Sequence, residues 1–341
     1  MPKDTHNNNG YDFEKNVSRR DMIAMAGAGA AVVGLGGVGF GGGALAAAAK
    51  FKMGSVKANG LDFHYLEAGK GPLALCLHGF PDSPYTYRYL LPELANAGYR
   101  AVAPFMRGYA PTSVAANGDY STKTLAADVN ALHTALGGGG DAVLIAHDWG
   151  AVAAFGALAE EEKNWRRSVI EAVPPLAVFG EIAFSYEQIK RSFYFWFFQM
   201  VVSDGIVPAG DLAFIDGLWG DWSPGYDAKE DLANVKNCLR DPANLKAAMG
   251  YYRDLFDAKT FGTPDAMNAQ GAAWGRPVPQ PVLYLHGKND GCIALDAGPA
   301  AKIKALIGKG SEVELVPDVG HFLHVEKPKI VNAKILKFLA G

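Results

Sequence analysis

The chain is short of cysteine, of charge and of repetition, and each shortage excludes something. Its three cysteines, Cys76, Cys238 and Cys292, show no C-x-x-C spacing and no neighbouring histidine cluster, so neither a disulfide framework nor a zinc site is implied. The formal net charge of −3 leaves no basic field for nucleic acid or acidic lipid. Charged residues are 20% of the chain and hydrophobic ones 49%, which leaves ample material for a large core. No internal repeat is visible. At 341 residues the chain exceeds the usual single-core size, so one large domain with an insertion, or two domains, is expected.

Residues 1–46 differ from the rest. A polar leader ends in Ser18-Arg19-Arg20-Asp21-Met22-Ile23, and an uncharged Ala/Gly-rich run continues to Lys50. The segment resembles a twin-arginine export signal, with Ala44-Leu45-Ala46 as the cleavage candidate. That implies the export machinery as a partner, a periplasmic or secreted mature protein, and no stable membrane association after cleavage. The alternative is an uncleaved anchor, since about 20 residues suffice to span a bilayer; the many glycines weaken its apolar drive.

Beyond the leader, Asn59-Gly60 between Gly54–Ala58 and Leu61–Tyr65 is a hairpin signal. Short apolar strands are then expected at Leu73–Leu77, Tyr99–Ala103, Ala142–Ile145, Ser168–Val173, Pro281–Leu285 and Glu312–Val316, alternating with helix-length segments. This rhythm predicts an α/β fold with a mostly parallel sheet and helices on both faces. Between Pro175 and Pro277 the rhythm stops and the chain turns aromatic and helical. The expected division is therefore a core in two parts, 47–175 and 278–341, with a helical cap at 176–277 over the carboxyl ends of the strands.

The run Val143-Leu144-Ile145-Ala146-His147-Asp148-Trp149-Gly150 places Asp148 where a strand-to-helix nucleophile turn of the G-x-S-x-G type carries serine. A carboxylate attacking an ester would give only a reactive anhydride. On a strained or halogen-bearing sp3 carbon it gives an alkyl ester that water can cleave, which points to epoxides or alkyl halides. The bland reading is that Asp148 merely caps the following helix. Two further segments weigh against it. Leu75-Cys76-Leu77-His78-Gly79-Phe80-Pro81 has the form of a strand ending in an H-G-x-P loop, which can supply an oxyanion-hole N–H. Asp290 and His321, in Gly287-Lys288-Asn289-Asp290 and Gly320-His321-Phe322, each follow a strand and complete the order nucleophile, acid, histidine.

On these motifs the chain, over residues 55–341, resembles the epoxide hydrolases of the α/β-hydrolase fold. The resemblance implies Asp148 as nucleophile, His321 as base oriented by Asp290, and backbone N–H groups of Phe80 and Trp149 as oxyanion hole. It also implies a pair of cap tyrosines holding the epoxide oxygen, matched here by Tyr194, before Phe198-Gln199, and Tyr252, before Arg253, with Tyr251 the nearest alternative. The expected partners are a small apolar epoxide and water, and no metal or organic cofactor is needed. Two departures stand out: Ala146 replaces the first elbow glycine, where added strain is expected, and Phe105 stands where the family has aspartate. A haloalkane dehalogenase would share Asp148 and His321 but needs a second halide donor where Phe80 stands, and no tyrosine pair. Ester hydrolysis and a non-catalytic exported binding protein also compete with the epoxide reading. His78, His147, His286 and His324 are read as structural, and Asp82 and Asp141 as turn or helix-start residues.

Overall fold

The computed structural model describes residues 51–341. The export-signal reading, with Arg19, Arg20 and the Ala44–Ala46 cleavage candidate, lies outside the described residues. Eight strands form one sheet in the order β1-β2-β4-β3-β5-β6-β7-β8. They are β1 (Lys52–Ala58), β2 (Leu61–Gly69), β3 (Leu73–Leu77), β4 (Arg100–Pro104), β5 (Val143–His147), β6 (Arg167–Glu171), β7 (Val282–Gly287) and β8 (Glu312–Val316). β1 and β2 form the expected hairpin, with Asn59 and Gly60 both at positive φ in the turn, and β2 is antiparallel to β4. All remaining pairings are parallel.

The central strands are apolar without alternation because helices cover both faces: every residue of β3 and β5 is buried. Each Val, Leu or Ile so buried is worth about 1.5–3 kcal/mol of transfer free energy. The early helices are α1 (Leu90–Asn96), α2 (Thr122–Ala135) and α3 (Trp149–Glu160). α2 starts where Ser121 accepts a hydrogen bond from the Thr124 N–H. α3 is apolar all round and buried from Trp149 to Ala159, as a helix enclosed between sheet and neighbours must be.

Between β6 and β7 the described chain forms no strand. It makes α4 (Leu176–Ile182), α5 (Tyr186–Arg191), α6 (Phe193–Phe197), α7 (Ser203–Ile206), α8 (Ala209–Trp222), α9 (Lys229–Leu239), α10 (Pro242–Leu255) and α11 (Pro264–Trp274). Proline in the first turn after a capping residue starts two of them: Asp241 accepts from the Ala243 N–H before α10, and Thr263 from the Ala266 N–H before α11. These helices are tied to the strand ends below. The Trp219 indole N–H donates to the Pro81 carbonyl at 2.7 Å. At the end of α8 the Trp222 carbonyl accepts from the backbone N–H groups of both Gly291 (3.1 Å) and His321 (3.0 Å). The chain closes with α12 (Ala297–Ile303), α13 (Leu323–Glu326) and α14 (Pro328–Ala340). No helix among the described residues is long and apolar enough to cross a membrane.

Candidate active site

Asp148 stands at the tip between β5 and α3 with φ 51° and ψ −120°, a left-handed strain of order 1–3 kcal/mol for a non-glycine residue. Its side chain does not cap α3. Instead Oδ1 accepts the Phe80 backbone N–H at 2.7 Å, so the capping reading fails. The turn is possible because its neighbours are small. A Cβ on Gly79 would lie 2.2 Å from Asp148 Oδ1, and one on Gly150 would lie 2.5 Å from the Leu77 carbonyl oxygen. The strain expected at Ala146 is not found. Ala146 is an ordinary strand residue, paired with Leu77 and Ile170, because the sharp backbone turn falls at Asp148 itself.

Asp290, in the loop after β7, and His321, in the loop after β8, meet beside the nucleophile. His321 Nδ1 lies 2.9 Å from Asp290 Oδ2, and His321 Nε2 lies 3.6 Å from Asp148 Oδ2. The other Asp290 oxygen accepts the backbone N–H groups of Cys292 (2.7 Å) and Ile293 (2.9 Å), which fixes the carboxylate plane. Burial alone would lower the His321 pKa. The adjacent Asp290 carboxylate, joined by Asp148, outweighs it and pushes the imidazole up to about 10. Burial works to raise the Asp290 pKa, but the His321 charge beside it holds the carboxyl below its ordinary value.

Tyr194 on α6 and Tyr252 on α10 come from helices far apart in sequence, yet their ring centroids are 5.3 Å apart. Both line an apolar cavity with Asp148, Trp149, Phe179, Phe195 and Cys292. Burial pushes both phenols well above their ordinary value, so they stay protonated as donors. The Tyr194 hydroxyl contacts Cys292 Sγ at 3.3 Å. Tyr251 faces elsewhere: its hydroxyl donates to the Arg107 carbonyl at 2.7 Å. A larger groove of about 540 Å³ beside Lys190, Arg191 and Asp296 is open and polar and reaches Asp290 but not Asp148.

The sequence reading missed two features. One is Cys292 in the cavity, whose only signal was its place two residues after the acid. The other is a buried polar cluster under the histidine loop. His147 Nε2 donates to the His321 carbonyl at 3.0 Å. His324 Nδ1 lies 3.0 Å from Glu171 Oε2, and Thr86 Oγ1 lies 2.6 Å from His324 Nε2. Asp82 sits 4.0 Å from His147 Nδ1, and burial pushes its carboxyl up to about 7. His147 and His324 thus lie in one buried cluster with Asp82, beyond the turn role expected of that aspartate. His78 bridges the loop after β3 to the Met106 N–H at 3.1 Å, and His286 contacts Tyr284 and the Ile293 carbonyl. At Phe105 the backbone is paired, its N–H with the His64 carbonyl at 2.9 Å and its carbonyl with the Thr112 hydroxyl at 2.7 Å, while the phenyl ring supplies none of the side-chain hydrogen bonds an aspartate would.

A mostly parallel sheet with helices on both faces, and an acid, a histidine and a strained elbow at its carboxyl edge, define a hydrolase architecture. Comparison with known proteins agrees. The Alpha/beta hydrolase family matches residues 74–334, and the chain belongs to it. An epoxide hydrolase of Caballeronia sordidicola is 30% identical over 307 residues, covering 83% of this chain and 92% of that protein. Among solved structures, a Bacillus megaterium epoxide hydrolase in complex with an inhibitor superposes with a TM-score of 0.73 at 24% identity, covering 84% of this chain and all (100%) of the other. A putative acyltransferase of Salmonella enterica superposes equally well, with a TM-score of 0.74 at 20% identity over 85% of this chain and 95% of the other. The fold therefore does not choose the reaction.

Proposed function

We propose that the chain hydrolyses epoxides to vicinal diols through an ester formed on Asp148. The observation that carries this is the convergence on one apolar cavity of a carboxylate at the elbow and two protonated phenols, with a carboxylate-paired histidine beside the elbow. The relatives named epoxide hydrolases support the same reading. Asp148 attacks an epoxide carbon while Tyr194 and Tyr252 donate hydrogen bonds to the departing oxygen. The Tyr194 hydroxyl contacts the Cys292 thiol, a weak acceptor that an epoxide oxygen can replace.

The electrostatics couple the two half-reactions. Asp148 is one of the charges holding His321 protonated, and esterification removes that charge. The His321 pKa then falls, its proton neutralises the alkoxide that ring opening leaves at the tyrosines, and the neutral imidazole is a base at the step that needs one. It takes a proton from water, which attacks the ester carbonyl; the oxyanion forms against the Phe80 and Trp149 backbone N–H groups. The diol leaves with an oxygen from Asp148. The deciding experiment is a single turnover in oxygen-18 water, which should place label in the Asp148 carboxylate; label in the diol alone would refute the ester. The proposal includes export of the mature chain by the twin-arginine route, on the strength of Arg19-Arg20 and the uncharged run after them.

A further inference from the structure

At the edge of the cavity Cys292, which the proposed hydrolysis does not use, completes a donor set with the nucleophile and the base. The Cys292 thiol, an Asp148 carboxylate oxygen and a His321 ring nitrogen lie within 4.8 Å of one another, all buried. His321 Nε2 has no hydrogen-bond partner. We propose that Asp148, Cys292 and His321 form an inhibitory binding site for a thiophilic divalent cation, zinc first among them.

The geometry and the chemistry both fit. Tetrahedral zinc, with bonds of about 2.3 Å to sulfur and about 2.0–2.1 Å to nitrogen and oxygen, sets adjacent donors about 3.3–3.6 Å apart. The His321 Nε2 to Asp148 Oδ2 separation of 3.6 Å already meets this. The widest separation the three atoms allow, 4.8 Å, would have to close by about 1 Å. The outer support is in place as well. A metal-bound imidazole characteristically gives its other N–H to a carboxylate, and His321 Nδ1 lies 2.9 Å from Asp290 Oδ2. Asp148 Oδ1 is held by the Phe80 N–H at 2.7 Å, which leaves Oδ2 for the ion.

One thiolate, one imidazole and one carboxylate suit zinc or cadmium rather than magnesium or calcium, which prefer all-oxygen shells. The ion displaces the thiol proton and the proton on His321. With thiolate and carboxylate both ionised and the imidazole neutral, the ion and its three ligands carry no net charge, which limits the cost of burying them. Asp148 and Cys292 line the same cavity as Tyr194 and Tyr252, which leaves room beside the donors for a further ligand. Bound there, the ion occupies the lone pair His321 would use on water and the oxygen Asp148 would use on carbon. Turnover and occupancy then exclude one another. Only this last consequence rests on the proposed hydrolysis; binding itself does not.

The test adds cadmium alone to the full-length chain and follows the ultraviolet thiolate-to-cadmium band. One equivalent should bind, and zinc should displace it. Cys292→Ser should abolish the band and weaken zinc by on the order of 100-fold or more, while Cys238→Ser keeps both. Asp290→Asn, which leaves the thiol in place, should weaken zinc about 10–100-fold as the loss of an orienting partner. In the unaltered chain, zinc should shield Cys292 from a small thiol reagent, read by peptide mass; this arm decides even where Cys292→Ser does not fold. No band in the unaltered chain, a band that survives Cys292→Ser, or equal labelling with and without zinc overturns the site. A chain that binds zinc yet turns over no epoxide retains the metal site and loses the hydrolase reading; one that turns over epoxide but binds no zinc does the reverse.

Discussion

Adjacent tyrosines on α10 offer a sharp separation of catalysis from stability. Tyr252 lines the cavity with Asp148, whereas the Tyr251 hydroxyl is spent on the Arg107 carbonyl. Tyr252→Phe keeps the ring and removes one donor from the transition state. By analogy with an oxyanion-hole donor the loss is about 2.7–4 kcal/mol, or about 10²–10³ in kcat, with little change in Tm. Tyr251→Phe leaves the cavity alone but deprives a buried carbonyl of its partner, at about 1–3 kcal/mol. At about 2–4 °C per kcal/mol for a chain somewhat smaller than this one, Tm should fall by several degrees while kcat/KM on an epoxide holds. The assay is steady-state diol formation beside thermal unfolding for both variants. Near-normal kcat in Tyr252→Phe, or a catalytic loss confined to Tyr251→Phe, would refute the assignment of roles and with it the tyrosine argument for an epoxide substrate.

His321→Gln should still be alkylated but fail to release product, so an intact-mass spectrum after substrate addition should show protein plus one epoxide; absence of the adduct contradicts the division between attack and hydrolysis. Trp149→Phe removes an indole N–H that a departing halide would need but keeps the backbone N–H assigned to the oxyanion, so it should slow epoxide opening less than either tyrosine change, whereas halide release from an alkyl halide would show the opposite ranking. Stability should fall with rising pH in two windows. Asp82 is raised from 3.8 to about 7 in the folded state, so its contribution is full below pH 4 and is lost as pH rises through 7, at most about 4 kcal/mol. His321 is raised from 6.5 to about 10, so its contribution is lost between those values. Denaturant titrations across pH should show Asp82→Asn flattening the first decline and His321→Gln the second. Replacing Arg19 and Arg20 by lysine should hold precursor in the cytoplasm, and unchanged export in cell fractions would exclude the twin-arginine route.

Features set by local pattern were legible in the sequence. β3 and β8 fall on the expected residues, and β4 to β7 shift by one or two at their ends, where hydrogen bonding rather than hydropathy decides the boundary. Asp148, Asp290 and His321 were readable because each sits on a loop directly after a strand, and a parallel sheet gathers such loops along one edge. The tyrosines needed the family resemblance, since an aromatic run such as Tyr194–Phe198 looks like packing and mostly is: Tyr194 also contacts Phe195, Phe198 and Trp222 edge-on or tilted. The cluster of Asp82, His147, Glu171 and His324 was out of reach because its members come from a loop, two strand ends and a short helix that are separate in sequence. Each has an innocuous local role, and only the fold shows that they share one buried volume. Cys292 was invisible for the same reason, a single small residue whose cavity partner Tyr194 is 98 positions away.

The helices from Leu176 to Trp274 leave the sheet after β6 and return at β7, and those two strands are hydrogen-bonded neighbours, Ser168 opposite Val282 and Glu171 opposite Leu285. Both ends of the insert are therefore stapled side by side, and its length is free of any distance the sheet must keep. Such an arrangement lets the roof be inherited as a cassette. A different insert at this one gap could bring other hydroxyls, other walls and another entrance to the same carboxylate and histidine, so new substrates can be acquired by exchanging about a hundred residues without disturbing the strand order that holds the reacting groups in register.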